Sequence, residues 1–318
     1  MTATEWPKIA VVGAGAVGGY FGGMLARAGA PVVLIGRSAF ADAVNRDGLL
    51  LDTVQFQERI KLQASSDLSA AGDAEIVLFC VKTTDTASTA RELAPLLRKH
   101  AVIISMQNGV DNAQQIHAAS GLDALAAAVY VAAAVTSPGT VKHVGRGDLV
   151  LGPKNATTER VAAVFERAGI SCKLSDHLAA ELWTKLVWNC ALNAISALGK
   201  STYGEILASE DARQLLEGAV FEVLFVAKAL GVHLPLFQDP QVALTGAYKV
   251  AEQMAATRSS TSQDMLRGKK TEIDSLNGFI VRKGRQLGVP TPINHALFTL
   301  VRLAEANSSP SFRTESAP

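Results

Sequence analysis

The sequence predicts an α/β domain of alternating strands and helices, followed by an all-α domain. Three observations carry this prediction. The first is a glycine-punctuated turn, Ile9-Ala-Val-Val-Gly-Ala-Gly-Ala-Val-Gly18, with an apolar strand before it and a helical pattern after it. The second is the recurrence of short apolar runs at Val32–Ile35, Glu75–Val81 and Val102–Ser105, with helical stretches between them. Continuous apolar runs of this length suit parallel strands covered on both faces. The third is a change of character near residues 175–180, beyond which long helical patterns replace almost every strand signal.

Length and composition set the outer bounds. At 318 residues the chain is long enough for two domains, each with its own core. A hydrophobic share of 48% and a charged share of 19% are those of an ordinary globular chain. The formal net charge of +1 implies no polyanion, so no nucleic-acid partner is expected. Cys80, Cys172 and Cys190 have no metal-ligand or Cys-x-x-Cys spacing. They read as buried, reduced thiols of a cytoplasmic protein, with no metal site. The start, Met-Thr-Ala-Thr-Glu-Trp-Pro, has neither a basic flank nor an apolar signal core, and no apolar run reaches the length of a membrane span.

Within the first domain, residues 1–177, each glycine of the turn has its own reason. Gly13 permits the tight turn, Gly15 lets a pyrophosphate approach the backbone, and Gly18 lets the helix pack on the sheet. The helix start then offers N–H groups and partial positive charge to phosphates. Gly13, Ala14, Gly15, Ala16, Val17 and Gly18 are therefore read as a dinucleotide cradle in a Rossmann-type domain. The second strand ends at Gly36-Arg37-Ser38, where a site for NAD usually has a carboxylate. Arg37 suits a 2′-phosphate instead, by a forked, charge-assisted pair, so the cofactor is read as NADP(H). The plain alternative is a solvated loop arginine.

A short helix and a β-hairpin (Gly48–Leu51, Gln55–Leu62) come next. Lys82 follows the strand Glu75–Val81 and could hold a phosphate or a substrate carboxylate, or be a solvated strand-end charge. A helix (85–98) and the strand Val102–Ser105 lead to Gln107-Asn108-Gly109. Asn108 suits a ribose, a nicotinamide or a carbonyl substrate; Asn-Gly is also a common turn pair. A helix (111–119) and a strand (124–135) complete a count of six. Two antiparallel strands follow, 139–145 and 147–152, with His143 read as a surface strand residue. A helix (156–168) and a short strand (171–174) close the domain.

The second domain is read as residues 178–307, with 308–318 as a polar, disordered tail. Its first helix, Glu181–Ser196, is apolar nearly all round. Yet Lys185, Asn189 and Asn193 recur every fourth residue, on one face that drifts by roughly 40° per step. Such a line is costly without partners. It reads as the lining of a cleft, or as a satisfied polar seam between helices. Further helices are read at Ala208–Gly231, Pro240–Thr257, Thr271–Gly288 and Asn294–Ala306, and Ser259 to Asp264 reads as a cap and new turn. Apolar faces on these helices would permit a homodimer.

Taken together, these residues resemble the ketopantoate reductase (2-dehydropantoate 2-reductase) family, from Val12 to about Arg302. The marks are the glycine turn, Val81-Lys82, Gln107-Asn108-Gly109, Lys185-Leu-Val-Trp-Asn189-Cys-Ala-Leu-Asn193, Ser260 with Gln263-Asp264, Thr271-Glu272-Ile-Asp274 and Asn277-Gly278. The resemblance implies a Rossmann-type domain, then an all-α domain like that of 6-phosphogluconate dehydrogenases, with the active site between them. It implies NADPH-dependent reduction of a small 2-keto acid, giving (R)-pantoate for pantothenate and coenzyme A. Lys185 would protonate the carbonyl oxygen, its pKa lowered by desolvation, with Glu272 as acidic partner near the cofactor. Asn189, Asn193 and Ser260 would bind substrate, with Lys185 and Asn108 beside them. Arg37, Lys82, Asn108 and a backbone contact at Ala134 would serve the cofactor.

The chain departs from the family pattern twice: Asn193-Ala194 stands for Asn-Pro, and Tyr203 stands for a substrate-contacting asparagine before Gly204-Glu205. Two further readings follow. One is a reductase of another 2-keto acid by the same mechanism; the other is a non-catalytic NADP(H)-binding regulator, against which the presence of Lys185 and Glu272 argues.

Overall fold

The computed structural model describes residues 5–234 and 239–308; the first four residues and the expected disordered tail beyond Ser308 lie outside them. The chain divides into two units after Leu178. In the first unit the order is β1 (Ile9–Val12), α1 (Ala16–Arg27), β2 (Val32–Ile35), α2 (Ser38–Asp47), β3 (Leu49–Asp52), β4 (Gln57–Ile60) and β5 (Gln63–Ser65). There follow β6 (Ile76–Phe79), α3 (Thr86–Leu93), β7 (Val102–Ser105), α4 (Asn112–Ser120), β8 (Ala124–Ser137), β9 (Thr140–Leu151), α5 (Ala156–Arg167) and β10 (Cys172–Leu174).

The apolar runs become the middle of the sheet because both faces are covered. Ile9, Val11, Leu34, Leu78 and Ile104 pack on one side, in a core that includes Phe21 and Leu25 of α1. Their neighbours Ala10, Val12, Ile35, Val77 and Ile103 pack on the other, with Ala90, Leu93 and Ile116 of α3 and α4. A strand that feeds two cores has no position for a polar residue. The strand order is β4-β3-β9-β8-β7-β6-β1-β2-β5. The run from β5 through β2, β1, β6 and β7 to β8 is parallel, and β9 turns back antiparallel on β8. Connection order reverses between β1 and β6, where α/β sheets place ligands outside their carboxyl ends.

Several expectations change here. The two strands expected at 139–145 and 147–152 are one strand, β9, irregular at Arg146, where φ is 57°. β5 is too short and polar to be seen as a strand, yet it pairs with β2. The predicted hairpin forms as β3–β4, but it joins β9 at the far edge of the sheet. His143 is not a surface residue. It is buried, stacks on Tyr20 at 4.3 Å, and its Nε2 lies 2.6 Å from the Arg146 carbonyl. Alternation along a strand fixes which face a residue takes, and β9 turns His143 toward α1. Cys172 and Cys190 are buried and Cys80 is partly so, all three free, and burial pushes each thiol up, that of Cys172 to about 12.

The second unit holds α6 (Leu178–Gly199), α7 (Tyr203–Ala208), α8 (Glu210–Ala229), α9 (Pro240–Gln253), α10 (Ser260–Leu266), α11 (Asn277–Leu287) and α12 (Pro292–Ser308), with no strand among its described residues. The helix expected from Ala208 begins at Glu210 instead, because Ser209 caps α8 by accepting from the Ala212 N–H, and Ala208 ends the short helix α7, which was not expected. The expected helix from Thr271 to Gly288 is broken. A 3-10 turn, Ile273–Ser275, precedes α11, and Leu276 between them has φ −107° and ψ −106°. Tertiary bonds outweigh local propensity there: buried Asn277 donates to the Cys190 carbonyl (3.1 Å) and to Asn294 Oδ1 (2.9 Å). Asn294 in turn donates to buried Glu222, whose carboxylate also accepts from the Ile293 and Asn294 backbone N–H groups, each at 2.8 Å. Glu222 thus caps α12 and begins a buried polar chain that ends on α6.

Candidate active site

In the first unit the polar residues singled out from the sequence gather at the carboxyl ends of β1, β2, β6 and β7. Gly13 and Ala14 both donate to the Ile35 carbonyl at 2.9 Å, and Cys80 donates to the Val12 carbonyl at 2.7 Å. A Cβ on Gly13, whose φ is +102°, would lie 2.5 Å from the Val81 nitrogen. A Cβ on Gly18 would lie 2.4 Å from the Gly13 carbonyl oxygen. Both glycines are needed by the fold itself. At Gly15 an added Cβ meets nothing within 4 Å, and the residue is exposed. Its bareness serves nothing inside the chain and leaves room for something outside it. Gly15 is the N-cap of α1, with no side-chain cap and no acidic residue in the first turn. That helix start is suited to an anion.

The neighbouring strand ends are tied to this loop. Buried Gln107 donates to the Val81 carbonyl (3.0 Å) and to Thr86 Oγ1 (2.7 Å), and accepts from Ser105 (3.1 Å). It therefore fixes Lys82 and Asn108, the next residue in each segment, at adjacent strand ends. Both are partly buried, and Asn112 holds the Asn108 carbonyl at 2.7 Å. Arg37 is exposed at the N-cap of α2, one residue beyond Gly36, which packs on Ala14. Ala134 lies in the β8–β9 ladder opposite Lys142. The next rung, Val135 with Val141, leans on the start of α1, since a Cβ on Gly19 would meet Val141 at 2.7 Å. Gln107 was a family mark without a role; only the structure gives it one.

In the second unit Lys185, Asn189 and Asn193 lie along α6, the first two partly buried and the third buried. The rest of the helix is packed by Trp183, Leu186, Val187, Cys190, Leu192 and Ile195. As a seam the line is satisfied in part: Lys185 and Asn193 have partners. The Asn189 amide has no partner among the described residues, and neither of its polar atoms is sealed from solvent. Among the described residues Asn193 has one side-chain partner, the Tyr203 hydroxyl at 3.3 Å. Ser260 is exposed at the start of α10, one residue beyond buried Ser259. Ser259 donates to the Asn193 carbonyl (3.0 Å), and its own N–H is held by Ser196 Oγ (3.1 Å). Ser259 is the N-cap of α10, as the expected cap and new turn required, and accepts from the Ser262 N–H (3.0 Å); its ties to Asn193 and Ser196 carry no signal in the sequence. Glu272 is partly buried and stands at the N-cap position of the 3-10 turn before α11, with no side-chain cap bond. Its segment is pinned by the Thr271 N–H to Glu305 (2.6 Å) and by Arg302 to Asp274 (2.5 Å).

No cluster of three His, Cys, Asp or Glu side chains able to hold a metal occurs among the described residues, and no helix there is long and apolar enough to cross a membrane. The donor set is instead a bare glycine cradle at a helix start, with polar residues at the ends of neighbouring strands. These residues fit a dinucleotide. Together, fold and site define an oxidoreductase of the kind that binds a nicotinamide dinucleotide.

Comparison with known proteins gives the family. Residues 9–156 match the family described as Ketopantoate reductase PanE/ApbA, and residues 177–305 match Ketopantoate reductase PanE/ApbA C terminal. The 2-dehydropantoate 2-reductase of Halobacterium salinarum is 32% identical over 305 residues, covering 94% of this chain and 99% of its own. The crystal structure of a PanE/ApbA family ketopantoate reductase from Ralstonia eutropha JMP134 superposes with a TM-score of 0.89 at 46% identity, covering 95% of this chain and 99% of its own. D-mandelate dehydrogenase, solved with NADH and anilino(oxo)acetate, shares the fold, with a TM-score of 0.88 at 24% identity over 95% of this chain and 99% of its own. The chain belongs to the ketopantoate reductase family.

Proposed function

We propose that this protein reduces 2-dehydropantoate to (R)-pantoate with NADPH, a step toward pantothenate and coenzyme A. The observation that carries the reading is the line Lys185, Asn189 and Asn193, with the Asn189 amide and the donating end of the Asn193 amide left without partners among the described residues on an otherwise packed helix. Reduced nicotinamide, when bound, supplies the hydride. Gly13 to Gly18 hold its pyrophosphate, Arg37 takes the 2′-phosphate, and Lys82, Asn108 and the backbone at Ala134 complete the hold. The chain's own task is to bind the keto acid and to supply a proton. Asn189, Asn193 and Ser260 donate to the substrate's oxygens. Negative charge grows on the carbonyl oxygen as the carbon is reduced, and the Lys185 ammonium gives it a proton. Glu272 orients the lysine or accepts from the new hydroxyl. A cytoplasmic place of work goes with this reading, as do the three free cysteines.

A second reading, supported by Tyr203 and by the mandelate dehydrogenase likeness, is reduction of another 2-keto acid by the same residues. One assay separates the two. Purified protein is given NADPH with ketopantoate, beside a panel of other 2-keto acids that includes phenylglyoxylate. The first reading expects kcat/KM of about 10⁴ M⁻¹s⁻¹ or more for ketopantoate and far less for the rest. A panel acid that outruns ketopantoate transfers the assignment to that acid.

The choice of cofactor has its own test. Arg37→Asp is expected to weaken NADPH by more than about tenfold while leaving NADH little changed, because a forked charge-assisted pair to the 2′-phosphate is lost. Fluorescence titration measures both constants. Equal losses for the two cofactors would remove the argument for NADPH.

A further inference from the structure

Asn193 is held at both of its oxygens, by residues from two segments that are themselves joined. Ser259 donates to its carbonyl at 3.0 Å, and the Tyr203 hydroxyl donates to its side-chain oxygen at 3.3 Å. The holders are themselves fixed. The N–H groups of Tyr203 and Gly204 donate to the Thr257 and Ala255 carbonyls at 3.0 and 2.9 Å. Residues 255–259 thus form a strap that ties α7 to α6. Tyr203 is buried, at 7% exposure, and Asn193 has 3%.

The consequence lies in what is left over. An amide has a donating end and an accepting end, and packing alone hardly tells them apart. Asn193 Oδ1 is engaged. Its Nδ2 has no partner among the described residues and is not sealed from solvent. A flipped amide would leave the phenolic proton without an acceptor, since Asn193 Oδ1 is the only acceptor of that hydroxyl among the described residues. Burial pushes the Tyr203 hydroxyl up to about 12, so the proton stays on it across the working range of pH.

We infer that Tyr203 is a positioning residue that locks the Asn193 amide donor-outward, so that this end of the site selects an accepting oxygen such as a carboxylate. The inference rests on the reading of Asn193 as a substrate ligand. It gives the residue that departs from the family pattern a role: it acts on substrate through its neighbour's amide.

The test is Tyr203→Phe, which keeps the buried ring and removes only the hydroxyl. In ¹⁵N–¹H spectra the Asn193 side-chain pair is assigned by its disappearance in Asn193→Asp. It is then followed in wild type and in Tyr203→Phe, with and without oxamate as a keto-acid mimic. Wild type is expected to give a sharp pair that shifts with oxamate. The variant is expected to give a displaced, broadened pair, weaker oxamate binding by about tenfold, and a KM for the best 2-keto acid raised by about tenfold. kcat should stay within about twofold and NADPH binding should not change. A KM rise without a kcat loss is not what general loosening of the fold produces. Unchanged amide signals and unchanged KM in the variant overturn the proposal. If no 2-keto acid is reduced at all, the functional reading fails, and the amide spectrum alone judges Tyr203: displacement supports the lock and an unaltered pair refutes it.

Discussion

Replacing Lys185 with alanine is expected to lower kcat by about two to four decades, the usual range for a lost general acid. At 1.36 kcal/mol per decade, this is about 3–5 kcal/mol of transition-state stabilisation. NADPH binding should stay within about twofold, because the groups proposed to hold it stand on the first unit, at Gly13 to Gly18 and Arg37. Lys185→Arg sharpens the test. A guanidinium keeps the positive charge but does not release its proton near neutral pH, so this variant should bind keto acid and remain slow. Steady-state rates beside a cofactor titration decide the matter. Weak NADPH binding with an unchanged kcat would mean that the lysine serves the cofactor and that the proton comes from elsewhere.

The largest expected effect on stability lies away from the chemistry, at Glu222. Its carboxylate accepts from the Ile293 N–H, the Asn294 N–H and the Asn294 amide, each at 2.8 Å, and it is 8% exposed. Glu222→Ala removes the acceptor: the Asn294 N–H is stranded in the core, the Ile293 N–H is left half-buried, and the Asn294 amide keeps only the Ala219 carbonyl at 3.2 Å. Each such loss costs about 1–3 kcal/mol, and partial relaxation brings the total to about 3–5 kcal/mol. Unfolding of the second unit should begin about 10 °C lower in calorimetry. Glu222→Gln keeps the shape and one accepting oxygen, and should lose about half as much. A shift of less than 2 °C in Glu222→Ala would show that water replaces the carboxylate and that the α12 cap is dispensable. The variant should also raise KM for keto acid modestly, since the chain from Glu222 through Asn294 and Asn277 ends on the Cys190 carbonyl, one residue past Asn189.

Much of the first unit was legible because its signals are local. The run Ile9–Val12 is apolar at every position, and that pattern suits only a strand covered on both faces. Gly13, Gly15 and Gly18 were each assigned a reason from spacing. The structure bears out the turn at Gly13, where φ is +102°, and the close packing at Gly18; at Gly15 an added Cβ meets nothing within 4 Å. What stayed hidden was long-range. Nothing in Gln63–Ser65 marks a strand, because its partner β2 supplies the reason for it. Likewise Thr271–Gly288 carries a helical pattern, and its break at Leu276 comes from buried bonds that Asn277 makes to α6 and α12. His143 was misjudged for the same reason: the face it takes depends on β9 lying over α1, where it meets Tyr20.

At the candidate site the division is similar. The fourfold spacing of Lys185, Asn189 and Asn193 follows from helix geometry, and so does their common face. Whether those amides are satisfied depends on which residues come to lie against them from elsewhere in the chain, and no spacing encodes that. The sequence by itself determined the class of fold, the glycine cradle and the polar line on α6, because these follow from periodicity and backbone sterics within a few residues. Only the tertiary structure decided that Gln107 sets Lys82 and Asn108 side by side, that Glu222 secures α12, and that Tyr203 turns the Asn193 amide outward. Each of these is a hydrogen bond between residues distant in sequence or on different elements, whose geometry exists only once the elements have packed.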